Sequence, residues 1–357
     1  SNVHINVSDT LDIYSDSLNY DGSTRIADLW GNVKLVDNRA TLTTEHLTYD
    51  RNTDIAYYFS GATIVSDSNV LVSRIGHYYT DYKEAHFRDS VILTNPDYVM
   101  NSDTLRYNTA SKTAWFEGPT TIVGEEDSIY CEDGWYNTEL DVSRMKLNVF
   151  IQHNEQVLKG DTVFYRREPG YGLAENNVML HDTLQDVYVY GHMGEYDDEL
   201  GYAYVTDSTV AVMPDKNDSL YLHSDTMWMF TDSSGAANIM KAYYKVKFYR
   251  KNLQGMCDSL VYQFPDSSIL MYNGPVMGSQ ENQLTSDSVR IVISNDEIDT
   301  MVLYGSCFII SEDDSIFNNY NQIKGRTMIA YFHENEIVKI HVTGNAETLY
   351  FLREEDR

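Results

Sequence analysis

The feature of this sequence best suited to chemistry is a column of ionisable residues at near-constant spacing. Asp16, Glu45, Arg74, Asp103, Glu132, Asp161, His192, Asp225, Asp258, Asp287 and Arg326 each stand four residues before a recurring anchor position. Eight of the eleven are Asp or Glu. Like charges on adjacent rungs of a sheet repel, so such a ladder has to be solvated or neutralised. One use is turn chemistry combined with protection of a sheet edge. Another is a rim that holds divalent cations and bridges them to an anionic ligand. A carboxylate pair for glycoside cleavage is a third option. No acid departs from the period, however, and a catalytic pair usually breaks it.

The remaining reactive residues are sparse. Cys131, Cys257 and Cys307 make an odd number. The first two fall in one column of small residues, four repeats apart. Stacked strands would separate them by at least four spacings of about 4.8 Å. A disulfide needs Cα atoms within roughly 7 Å, so these two are predicted to be unbridged. Cys307 lies in an apolar stretch and reads as core. There is no Cys-x-x-Cys pair. His192-Met-Gly-Glu195, followed by Asp197 and Asp198, is the densest ligand-like group. It lies on a strand-to-turn passage where side chains need not converge, and no metal is expected. Neither a Gly-x-Ser-x-Gly elbow nor a phosphate-binding glycine loop occurs. No cofactor is expected and no catalytic residue is assigned.

The elements that position these columns are repeats. Tyr20, Tyr49, Tyr78, Tyr107, Tyr136 and Tyr165 are each 29 residues apart, and the anchor continues at Tyr196, Met229, Tyr262, Ile291 and Ala330. That makes about eleven copies of one unit. Five residues before the anchor the residue is small, as at Ser15, Ser102, Cys131, Gly160 and Ser224. Two before, it is apolar or Gly, as at Leu18, Leu47, Gly76, Leu105 and Leu260. Residues two apart share a strand face, whereas a helix puts them on different sides. Strands are therefore indicated, with the Leu-type and Tyr columns inward and the small column on the opposite face. Ser-Asp-Thr segments such as Ser102–Thr104 read as strand starts. Alternation resumes in the second half of each unit, as in Ala27, Leu29, Gly31, Val33, Leu35 and in Ala114, Phe116, Gly118, Thr120, Ile122. Turns are expected at 52–54, 108–112 and 265–267.

Composition agrees with a repeat that stacks. With 357 residues the chain can bury a large core. Its 26 basic and 54 acidic residues give a net charge of −28. That argues against nucleic acid and against a basic patch on an anionic bilayer. The 42% hydrophobic and 13% aromatic fractions exclude a disordered chain. No run approaches the roughly 18 apolar residues of a membrane helix, and no stretch has a 3.6-residue period. The chain is predicted to be all-β, with more than twenty short strands in one continuous body over 1–357. A subdivision near 214–237 is left open, where the spacing lengthens. The Ser1–Asn2 start, without Met or signal peptide, reads as a processed or trimmed chain and leaves localisation open. The acidic ending leaves open a further C-terminal region.

The units 27–50, 114–123 and 129–137, and the closing stretch 337–350, resemble the OstA-like proteins. That family comprises the periplasmic lipopolysaccharide-transport protein A and the N-terminal domain of its outer-membrane partner, lipopolysaccharide-transport protein D. The matching signature is Gly31-Asn32-Val33, repeated as Asn176-Asn177-Val178 and Gly344-Asn345-Ala346. The likeness covers nearly the whole chain, and its specificity lies in the repetition. It implies an elongated, twisted, partly open β-jellyroll that stacks end to end into a bridge. Members hold lipopolysaccharide acyl chains inside the groove and pass them on without chemistry. This chain departs in having about twice the repeats of one periplasmic bridge protein. It also lacks outer-membrane barrel patterning, and its acidity suits holding acyl chains while head groups stay in water.

The resulting reading is a non-enzymatic, periplasmic lipopolysaccharide carrier, with outer-membrane association left open. The inward residues proposed to line the lipid are Leu18, Leu29, Val33, Leu47, Tyr49, Phe87, Val91, Leu105, Tyr107, Phe116, Val163, Tyr165, Leu260, Tyr262 and Val289. Expected partners are lipopolysaccharide acyl chains, other transport components joined by edge-strand pairing, and further copies of the chain end to end. One rival is an extracellular or periplasmic β-solenoid spacer or adhesin with a filled core. Another is a β-helix enzyme acting on acidic polysaccharide. Gly76, Gly134 and Gly194 favour an incompletely filled interior.

Overall fold

Two-residue alternation of Leu, Val, Ile, Tyr and Thr favours pleated strands, and Asp or Asn at the end of a strand builds the turn that follows. Asp21, Asp50 and Asp232 each accept a hydrogen bond from the backbone N–H two residues on. Asn108 and Asn137 do the same. Successive turns are tied together. The hydroxyls of Thr80, Thr109 and Thr138 donate to the carbonyls of Asp54, Lys83 and Lys112 in the turn before.

The computed structural model describes residues 3–351, except 9–10, 38–39, 67, 126, 167, 169, 185, 215–218, 235, 252, 279–281, 295–296, 315–318 and 334–335. All regular elements among the described residues are strands, so the all-β expectation holds. Consecutive strands pair antiparallel, as Tyr98–Asn108 does with Glu84–Thr94 before it and Thr113–Gly124 after it. The chain forms two compact units, 1–175 and 176–357, divided within the strand Tyr171–Asp182.

Midway along, each strand turns a corner. On alternate strands one or two residues adopt the left-handed conformation there: Gly31 and Asn32, Asp89 and Ser90, Leu147 and Asn148, Asp207 and Ser208, Gly305 and Ser306. Two residues on that strand then oppose one on its neighbour. This is a bulge that bends the strand and interrupts the ladder, and the register shifts between Trp30 and Val33 and between Lys146 and Val149. Glycine, Asn and Asp populate the left-handed region at low cost, which explains Gly-Asn, Asn-Asn and Asp-Ser at these points.

The opposing single residue is the ionisable column. The backbone N–H groups of Asp16, Arg74, Asp287 and Arg326 donate to the carbonyls of Gly31, Asp89, Gly305 and Gly344. Carboxylates accept from the amides of left-handed Asn residues: Asp16 from Asn32 at 2.7 Å, Glu132 from Asn148 at 2.8 Å and Asp258 from Asn273 at 3.0 Å. Where Arg74 replaces the acid, the bulge supplies Asp89, 3.0 Å away. Asp225 instead pairs with Lys245 at 3.2 Å. At these five positions the repulsion expected within the ladder is answered locally, and the column builds the corner.

The corner overturns two expectations. Ser102-Asp103-Thr104 lies inside the strand Tyr98–Asn108, not at its start. The small column faces inward: Ser15, Ser73, Ser102, Cys131 and Ser224 are buried. Simple alternation put it outside because it ignored the bend between the small residue and the Leu-type residue three positions on.

Folding each hairpin at the corner sets its two halves face to face. In the first unit Leu29 and Leu47, before the corner, cluster with Ile13, Val33 and Ala62 beyond it. In the second unit Ala242 and Met271 pack in one cluster with Val246 and Met277.

Candidate functional site

The apolar interior is the candidate site, and two columns line it in the first unit. One runs through Phe87, Leu105, Phe116, Gly134, Met145 and Val163, each directly opposite the next. The other alternates large and small: Tyr49 faces Ala56, Tyr78 faces Ala85, Tyr107 faces Ala114 and Tyr136 faces Ser143. A small residue opposite each Tyr leaves room for the ring. The hydroxyls then reach the turns, Tyr49 donating to Asp54 at 2.7 Å and Tyr136 donating to Asp141. Burial, reinforced by Asp54, pushes the Tyr49 phenol up to about 12.

Near the corner the interior contains polar atoms, and they are satisfied locally. The hydroxyls of Ser15, Ser102, Ser224 and Ser286 each donate to the carbonyl two residues on. The Cys257 thiol does the same at 3.3 Å, standing in for serine. Ser102 also meets the Thr120 hydroxyl at 2.8 Å across the corner. Cys131, Cys257 and Cys307 are buried free thiols. Burial raises Cys131 to about 11 and Cys257 to about 12. His192 and Glu195 do not converge. The His192 ring lies 3.1 Å from the Asp207 carbonyl, while Glu195 accepts from Tyr202 and Tyr204. Among the described residues no cluster of His, Cys, Asp and Glu gathers as metal ligands.

Ten of the proposed lining residues are buried: Leu29, Val33, Leu47, Phe87, Val91, Leu105, Phe116, Val163, Leu260 and Val289. Tyr49, Tyr107, Tyr165 and Tyr262 are half-buried. Leu18 departs from the interior placement, at 37% exposed. Its strand Ser17–Asp21 pairs with Ile26–Asp37 alone among the described residues, so the last rung lies uncovered. Gly76 does not leave a gap either. The Tyr58 ring lies where a Cβ at Gly76 would sit, and its hydroxyl meets Ser73 at 2.6 Å. A Cβ at Gly134 would come within 2.7 Å of the Arg144 carbonyl, so that glycine answers a close backbone approach.

Exposure rises away from the corner in the first unit. Residues flanking the corner, such as Leu29, Val91, Phe116 and Val149, are buried. At the far ends Leu35, Leu42, Ile122, Ile129, Ile151 and Leu158 are half-buried, as are the Tyr residues at the turn side. These six aliphatic residues were not among the proposed lining positions. Their signal was present in the alternation Val33, Leu35 and Thr120, Ile122. The interior therefore has a dry floor at the corner and a more accessible rim at the strand ends.

Residues 1–103 match the family model described as OstA-like protein. No curated protein matches the chain. Among solved structures the chain is similar to the crystal structure of LptH, the LptA homologous periplasmic component of the conserved lipopolysaccharide transport device from Pseudomonas aeruginosa. Identity is 15%, the match covers 28% of this chain and 76% of that one, and the TM-score is 0.26. The likeness to the OstA-like family model is thus to residues 1–103 of the 357.

Proposed function

We propose that this protein carries lipopolysaccharide by its acyl chains, without chemistry of its own, as part of a bridge across the periplasm. The observation that carries this reading is the OstA-like match over residues 1–103 on a strand meander with an apolar interior. Each methylene moved from water into such an interior contributes about 0.8 kcal/mol without needing a polar partner. The half-buried rim of Tyr and aliphatic residues is where a chain would enter, and the buried floor takes it only if the two halves part. A net charge of −28 keeps phosphorylated head groups in water. The uncovered side of Ser17–Asp21 suits strand addition by a neighbouring component or a second copy.

One observation favours a second reading, a spacer with a filled core: Leu29, Met271, Leu303 and Met328 have no exposure at all. Native mass spectrometry of the delipidated protein incubated with lipopolysaccharide separates the two. A carrier gives a stoichiometric adduct that free head-group oligosaccharide does not displace. A spacer gives none.

A further inference from the structure

The outer face of the first unit carries a second ordered ladder. On this face Arg106 lies directly opposite Trp115, Trp115 opposite Trp135, and Trp135 opposite Arg144. The Arg106 guanidinium sits 4.4 Å from the centre of the Trp115 ring. The ladder continues through His86, His77 and Tyr57 on one side and ends at Phe164 on the other. Eight rungs at about 4.8 Å make a track about 34 Å long and one side chain wide.

Its centre is a hollow of about 370 Å³, with Trp115 and Trp135 beside Thr113 and Asn137. A similar hollow recurs in the second unit, at about 430 Å³, with Tyr204 and Trp228 beside Thr206 and Thr226. Trp115 and Tyr204 both stand eight residues after an anchor, Trp135 and Trp228 one before. The two aromatic pairs thus occupy the same rung of the repeat, with the first hollow on the turn side of its pair and the second on the corner side.

The charges around the tryptophan pair are matched. Arg106 lies 3.6 Å from Glu84 and 3.8 Å from Glu117, Arg144 lies 3.5 Å from Glu175, and Lys146 lies 3.3 Å from Asp133. His77 is held below the ordinary imidazole range by burial and by its cationic neighbours. At the tryptophan pair a polyanion would meet cations that are already paired, whereas a phosphate-binding surface needs them free; the exposed Arg88 and Arg166 lie on this face toward the two ends of the track. A track this narrow presents roughly a few hundred Å², well under the ~800 Å² per partner of a stable protein interface. What remains is half-buried aromatic rings, Trp115 with Arg106 over one face, bordered by carboxylate, guanidinium, hydroxyl and amide groups. Aromatic faces carry negative potential and attract the C–H faces of pyranose rings, while the polar borders exchange hydrogen bonds with ring hydroxyls.

We propose that this outer track binds an uncharged, linear polysaccharide chain, with Trp115 and Trp135 as the stacking platform. The proposal holds whether or not the interior takes acyl chains. The test is isothermal titration of the whole chain with cellohexaose and chitohexaose, and with sulfated and uronic-acid hexasaccharides as charged controls. The expected result is saturable binding of a neutral hexasaccharide, weakened at least tenfold by Trp115→Ala and by Trp135→Ala and unchanged by Trp30→Ala. Circular dichroism checks the fold, and the half-exposed Arg144→Ala serves as a second probe should a tryptophan variant unfold. No heat with either neutral sugar, binding of charged sugars alone, or binding unaffected by these variants would overturn it.

Discussion

The two units share a corner and differ in what fills them. In the first, the anchor column alternates Tyr with Ala or Ser from Ala27 to Tyr165. In the second the alternation starts again at Tyr196 and Ala203, and then gives way to Met229 facing Met240, Ile269 facing Ile291 and Ile291 facing Met301. Five buried methionines, Met227, Met271, Met277, Met301 and Met328, belong to the second unit's cluster. Yet Gly305 and Ser306 face Asp287 there much as Gly31 and Asn32 face Asp16 in the first unit. The corner depends on stereochemistry that few residues satisfy. The interior asks only for apolar volume, which several side chains supply. Methionine, flexible and polarisable, fills irregular space where a Tyr ring needs a vacancy opposite it.

The largest expected effect tests the packing difference. Phe116→Ala removes a ring that is 1% exposed and should cost about 3–5 kcal/mol in denaturant unfolding. Met271→Leu, in the methionine-rich interior, should cost under about 1.5 kcal/mol. Equal costs would erase the distinction between a fitted and an adaptable interior.

Next comes the shared corner. Gly305→Ala forces a left-handed alanine, which costs about 1–2 kcal/mol, and sets its Cβ against the Asp287 carboxylate. Adding Asp287→Ala should recover the steric part and leave the backbone part. A double variant no more stable than Gly305→Ala would remove Asp287 from the account.

Cysteine reactivity should differ little between the units. Cys131 and Cys257, raised by burial to about 11 and about 12, stay protonated at neutral pH. Maleimide should label neither in the native protein and both after unfolding. Rapid native labelling of one would show that its corner opens.

The smallest effect lies at the turns. Hydrogen bonds from Ser23, Asn52 and Ser234 hold the carboxyls of Asp21, Asp50 and Asp232 below the usual range. A carboxyl lowered by folding contributes stability above its unfolded value near 3.9, and that contribution is lost as pH falls through the folded value. Melting temperature should therefore drop below about pH 4, and Asp50→Ala should soften that drop. An acid slope unchanged in Asp50→Ala would contradict the assignment.

The period, the strand class and the inward Leu and Tyr columns were legible because alternation is local. The corner was not, because it joins Asp16 to Gly31 and Asn32 on the neighbouring strand. Its bend also reversed the face assigned to Ser102 and Cys131. Tyr58 hid from the glycine argument in the same way, since the residue that fills the space at Gly76 comes from another strand. Leu18 looked like any other column member, and only its uncovered rung sets it apart.

The central claim is that acyl chains enter at the rim of the interior. The most direct test places a photo-crosslinking amino acid at Tyr107 and Ile122 on the rim, at Phe116 on the floor and at Arg106 on the outer face, with a lipopolysaccharide truncated to its acylated lipid, without the polysaccharide chain, present. The account predicts strong adducts from the two rim positions, a weaker one from Phe116 and none from Arg106. Adducts from Arg106 alone, or from no position, would contradict it.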